Sequence, residues 1–87
     1  MVSQKTTIIN PSGLHARPAG ELAKLCSRCK SDVIIHVGEK KINPKSILNI
    51  MAAAIRCGTD IVVECSGETE QEDLEQVISA IAGGLGE

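Results

Sequence analysis

A histidine and an arginine two positions apart, inside Gly13-Leu14-His15-Ala16-Arg17-Pro18-Ala19-Gly20, are the residues of this chain best suited to chemistry. Pro18 fits the first turn of a helix, where the amide proton it lacks would have had no acceptor. The dense turn signal Asn10-Pro11-Ser12-Gly13 comes just before it and separates an extended segment from a helical one. His15 is therefore expected at the positive end of a helix, where the backbone amides of Ala16 and Arg17 and the helix dipole favour an anion. Arg17 adds a planar fork of donors for the oxygens of that anion. Together these groups suit a phosphoryl acceptor: a neutral imidazole is abundant near pH 7, and positioning with charge neutralisation does most of the catalytic work in phosphoryl transfer. A histidine beside a turn can equally be an ordinary surface or capping residue.

A second motif, Lys45-Ser46-Ile47-Leu48-Asn49-Ile50-Met51, places a serine where a helix N-cap belongs. Capping alone would justify Ser46, and a phosphate there would also be favoured electrostatically. Ile47, Leu48 and Met51 are candidates for a docking surface, while Ile50 reads as core. The octapeptide around His15 resembles the active-site signature of HPr, the histidine phosphocarrier family of the bacterial phosphoenolpyruvate-dependent sugar phosphotransferase system. The Ser46 segment resembles the regulatory serine of its Gram-positive members. The resemblance spans nearly the whole chain; Asn43-Pro44, Gly20 and the four cysteines are its less usual features.

That resemblance implies a relay rather than a turnover enzyme. His15 would take a phosphoryl group on Nδ1 from Enzyme I and pass it to the IIA domain of a sugar permease, with Arg17 neutralising the phosphate. Ser46 would be phosphorylated by HPr kinase/phosphorylase, and the product would serve a catabolite-control repressor. The family also suggests a monomer without cofactors. The alternatives are a regulatory HPr-like protein that signals through Ser46 without transport flux, or a small metal or redox module built on cysteines.

The cysteines fit that last alternative poorly. Cys26-Ser27-Arg28-Cys29 is a CxxC, but it falls at the end of a helix, where no N-terminus lowers a thiol pKa. A zinc site would need Cys57 and Cys65 brought together, and Cys65 is expected to point inward from a strand. Reduced, largely buried thiols and no metal site are expected. His36, alternating with Ile35 and Val37, reads as a solvent-face strand residue.

Composition sets the remaining bounds. Eighty-seven residues, 43% hydrophobic and 23% charged, suit one domain spanning residues 1–87 with a modest core. The absence of aromatic residues removes stacking platforms for bases, so direct nucleic-acid binding is not expected. No signal-peptide pattern or membrane-length apolar run is visible, which makes a cytoplasmic protein without membrane insertion the expectation. Residues 1–56 carry a net +6 and residues 57–87 a net −8. If that asymmetry persists in space, the half holding His15 and Ser46 faces acidic partners.

The elements that must position these residues follow from periodicity. Residues 3–9 predict a strand, about 16–29 a helix with Ala19, Leu22, Ala23 and Cys26 as its buried stripe, and 33–37 with 40–43 a hairpin turning at Gly38-Glu39. Ile47 to Ile55 predicts a short helix stopped by Gly58, and Thr59 to Cys65 a strand. Thr69-Glu70-Gln71-Glu72 has capping-box spacing ahead of a last helix whose apolar face is Leu74, Val77, Ile78, Ile81 and Leu85. The Gly83-Gly84-Leu85-Gly86 tail is expected to fray. The order β-α-β-β-α-β-α and one apolar stripe per helix suit an α+β fold with three helices on one face of a four-stranded sheet. That this sheet is antiparallel, in an open-faced β-sandwich, is what the family resemblance implies.

Overall fold

The structure is a computed structural model describing residues 1–87. Its elements are β1 (Val2–Thr7), α1 (Ala16–Arg28), β2 (Asp32–Val37), β3 (Lys40–Ile42), α2 (Ile47–Ala52), β4 (Asp60–Ser66) and α3 (Glu70–Ala82). They form one four-stranded sheet of order β1-β4-β2-β3 in which every neighbouring pair is antiparallel. This is the α+β open-faced sandwich that the family resemblance implied.

Strand alternation decides which residues enter the core. Ile61, Val63 and Cys65 of β4 and Val33 and Ile35 of β2 are buried, and the registers Val33↔Cys65 and Ile35↔Val63 put them on one face. The helices close over that face with Leu22, Ala23 and Cys26 from α1, Ile50 from α2, and Leu74, Val77 and Ile81 from α3. The other face carries the polar partners. Lys5 reaches Asp60 at 3.6 Å, Thr7 Oγ1 donates to Asp60 at 2.6 Å, and His36 Nε2 lies 3.2 Å from Glu64 Oε1. His36 thus occupies the outer sheet face, as its alternation suggested.

Four local expectations are corrected. β1 ends at Thr7: Ile8 is buried, while Ile9 is exposed as the chain turns into the His15 loop. Helix α2 stops at Ala52, well before Ile55, because Ala54 takes a left-handed backbone with φ of 51°. The capping box ahead of α3 does not form: Thr69 Oγ1 donates instead to Asp73 Oδ2 at 2.8 Å, and that carboxylate also accepts the Ser31 amide at 3.0 Å. The Thr69 hydroxyl is turned toward Asp73, to which it donates, and accepts from no amide of α3. The Asp73 carboxyl is held below the ordinary aspartate range, first by the Ser31 side chain and then by the Thr69 hydroxyl and the Ser31 amide.

The tail does not fray. Leu85 N–H bonds Ala80 O at 3.0 Å and Gly84 N–H bonds Ile81 O at 3.1 Å, a Schellman closure with Gly84 at φ of 83°. Leu85, expected on the face of the last helix, is buried from this turn. The closure keeps the final residue beside the Asn10 turn, at the end of the molecule where α3 finishes.

Candidate functional site

His15 is the N-cap residue of α1, with an extended backbone and no side-chain capping bond, so its ring is free for other partners. The first bond of the helix runs from Ala19 N–H to His15 O at 2.9 Å. Ala16 and Arg17 precede that bond and Pro18 has no amide proton, which leaves two backbone donors at this helix end. The His15 side chain is 44% exposed, and Arg17 is exposed as well.

The residue missed in the sequence is Glu87. Its Oε2 lies 2.9 Å from His15 Nε2, and its Oε1 accepts the Asn10 Nδ2 amide at 2.7 Å. The same amide donates to Gly84 O at 2.9 Å, so buried Asn10 fastens the tail beneath the histidine. The Asn10 bond to the Glu87 carboxylate, ahead of those from His15 and the nearby charge of Arg17, holds that carboxyl below the ordinary glutamate range. A carboxylate only accepts, so Nε2 carries the ring proton and the lone pair of neutral His15 sits on Nδ1. The GLGE ending could have signalled this only through its glycines, whose left-handed turns return the chain.

The loop that carries His15 is seated on the segment after α2. Leu14 N–H bonds Ile55 O at 2.9 Å. Gly13, at φ of 68°, comes so close that a Cβ would stand 2.3 Å from Ile55 O, and only glycine tolerates both conditions. Helix α2 therefore lies beside the histidine. Ser46 is its N-cap: the hydroxyl accepts Asn49 N–H at 3.3 Å. Leu48 is 80% exposed and Ile47 and Met51 are each 45% exposed, whereas Ile50 is fully buried.

The cysteines form no such site. Cys26, Cys29 and Cys65 are buried and Cys57 is exposed, and no group of three or more His, Cys, Asp or Glu side chains is arranged to hold a metal ion. Burial pushes the Cys26 thiol up to about 12 and Cys65 to about 11, opposite to the direction a redox CxxC requires. No helix is long and apolar enough to cross a membrane.

Comparison with known proteins bears on the family and the fold. Residues 2–83 match the family model for the PTS HPr component phosphorylation site. The phosphocarrier protein HPr of Mycoplasma capricolum is 43% identical over 81 residues, covering 93% of this chain and 86% of that protein. The HPr-like protein Crh of Bacillus subtilis is 38% identical over 81 residues, covering 93% and 95% respectively. The crystal structure of HPr-C-His from Thermoanaerobacter tengcongensis superposes with a TM-score of 0.94 at 31% identity, covering 100% of this chain and 98% of that one. A sequence match across almost every element and a shared fold leave one assignment, and the chain belongs to the HPr family of phosphotransferase-system proteins.

Proposed function

We propose that this protein relays a phosphoryl group through His15, taking it from the phosphohistidine of Enzyme I and giving it to the IIA domain of a sugar permease. The observation that carries this reading is the pairing of His15 Nε2 with Glu87, which leaves the Nδ1 lone pair for attack. Nδ1 forms a bond to phosphorus as the donor's P–N bond breaks, and the donor imidazole keeps that electron pair. The Nε2 proton stays in place, so the ring becomes cationic and the Glu87 carboxylate offsets the new charge. Arg17 and the free amides of Ala16 and Arg17 neutralise the phosphoryl oxygens. Onward transfer reverses these steps. The protein acts as a monomer in the cytoplasm, without a cofactor.

Ser46 supplies regulation in this reading. Phosphorylation by HPr kinase/phosphorylase places a dianion beside Ile47, Leu48 and Met51, the exposed apolar group of α2. That discourages docking of Enzyme I and creates a surface for the catabolite-control repressor. A second reading, favoured by the similarity to a Crh protein, keeps the Ser46 signal and drops the transport flux.

One experiment separates the two. Labelled phosphoenolpyruvate and purified Enzyme I should yield an acid-labile, base-stable phosphoprotein that the His15→Ala variant does not form. No label on the parent, with Enzyme I active on another carrier, rejects the relay in favour of the regulatory reading.

A further inference from the structure

Arg56 occupies a place that the His15 loop fixes through backbone contact. A Cβ on Gly13 would stand 2.8 Å from Arg56 Cα, so this arginine begins against the loop two residues before the histidine. Arg56 and His15 line the same shallow cleft of about 220 Å³, together with Ser12 and Met51, and no carboxylate borders it. Arg56 is exposed and takes part in none of the four ion pairs of the molecule. An unpaired guanidinium beside a cleft without carboxylates is a standing site for an anion.

The charges around His15 show which anion. Glu87 occupies the Nε2 side and its negative charge already lies close to Arg17. A phosphoryl group on Nδ1 would bring about two further negative charges, against the single positive charge of Arg17 and the two neutral amides at the helix end. We propose that Arg56 is a second cation facing the phosphoryl group, donating to its oxygens from the cleft while Glu87 holds the opposite nitrogen of the ring. This assignment rests on His15 being the phosphoryl acceptor.

The test uses a chemical donor, so it does not depend on Enzyme I. The parent, Arg56→Gln, Arg56→Lys and His15→Ala proteins are treated with potassium phosphoramidate, and the phosphohistidine signal absent from His15→Ala is followed by ³¹P NMR against pH. Removing a cation near the phosphate should raise the phosphate midpoint of Arg56→Gln by about half a pH unit, the effect of one charge at roughly 6 Å across a solvated gap. Arg56→Lys should stay near the parent. An unchanged midpoint in Arg56→Gln overturns the proposal, even if transfer from Enzyme I slows, because the residue would then serve the partner. A parent whose His15 is not labelled overturns it too, whereas chemical labelling without transfer from Enzyme I overturns only the relay.

Discussion

Glu87 Oε2 stands 2.9 Å from His15 Nε2, 72 positions away along the chain. It is the nearest fixed negative charge to the ring and fixes which nitrogen keeps the proton. Glu87→Ala should therefore slow phosphoryl acceptance from Enzyme I roughly fivefold, by freeing the tautomer and removing the counter-charge for the cationic ring. Glu87→Gln should fall between, since its amide oxygen still accepts from Nε2. Initial rates at saturating Enzyme I check this, and an undiminished rate in Glu87→Ala would remove the carboxylate from the mechanism.

The same carboxylate gives the tail an acid-sensitive anchor. Its pKa is lower folded than unfolded, chiefly because Asn10 donates to it, so its contribution to stability is present above the unfolded value and is lost as pH falls through the folded one. Gly84 and Leu85 amides should report release of the tail with a midpoint below the ordinary glutamate range. In Asn10→Ala that midpoint should move up toward the ordinary value. An NMR pH titration of both proteins decides it, and identical midpoints would mean that Asn10 does not hold Glu87.

Two left-handed residues near the site should respond in opposite directions. At Gly13, a side chain would meet Ile55 O at 2.3 Å, so Gly13→Ala should cost several kcal/mol, about 1–2 of it from the backbone conformation and the rest from the clash. Ala54 already bears the left-handed cost at φ of 51°. Ala54→Gly should be neutral to stabilising by roughly 1 kcal/mol, relief of strain being partly offset by greater unfolded-state entropy. Denaturant unfolding of both variants tests the contrast.

The same two positions show where sequence reasoning reaches and where it stops. Strand alternation and helical stripes give the elements and their buried faces because those patterns are local, while the antiparallel sheet rests on the family resemblance; the turn signal puts His15 at a helix start. Ala54 carries no left-handed signature, so α2 was read through to Ile55. Thr69 had a capping pattern, but its hydroxyl was taken by Asp73, whose other partner is Ser31 from a distant loop. Glu87 was invisible for the same reason: three glycines read as a loose end, and what orders them is Asn10 at the far side of the sequence. Long-range polar pairing leaves no period in a sequence.

The docking role proposed for α2 can be separated from stability residue by residue. Ile50 is fully buried, and Ile50→Ala should cost about 2–5 kcal/mol. Leu48 is 80% exposed, so Leu48→Asp should leave the melting temperature nearly unchanged while reducing kcat/KM with Enzyme I at least tenfold on the proposed docking role, because a charge replaces an apolar contact. Ser46→Ala should lose about 1 kcal/mol as its cap to Asn49 disappears. Ser46→Asp should retain the cap but slow acceptance from Enzyme I; transfer as quick as the parent's would exclude α2 as the docking surface.

Thiol reactivity should sort the cysteines by burial rather than by the CxxC spacing. Cys57 is exposed. Burial pushes Cys26 to about 12 and Cys65 to about 11 and raises Cys29 as well, so at pH 8 these three are thiols enclosed in the core, without the thiolate that would attack a disulfide reagent. A colorimetric thiol titration of the native protein should show one fast equivalent, absent in Cys57→Ser, and all four only after denaturation. Fast reaction of Cys29 in the native state, or stoichiometric zinc in protein purified without added metal, would reinstate the CxxC as a functional pair. Otherwise the thiols serve as small apolar side chains filling the space between α1 and β4 in a core that has no aromatic residue.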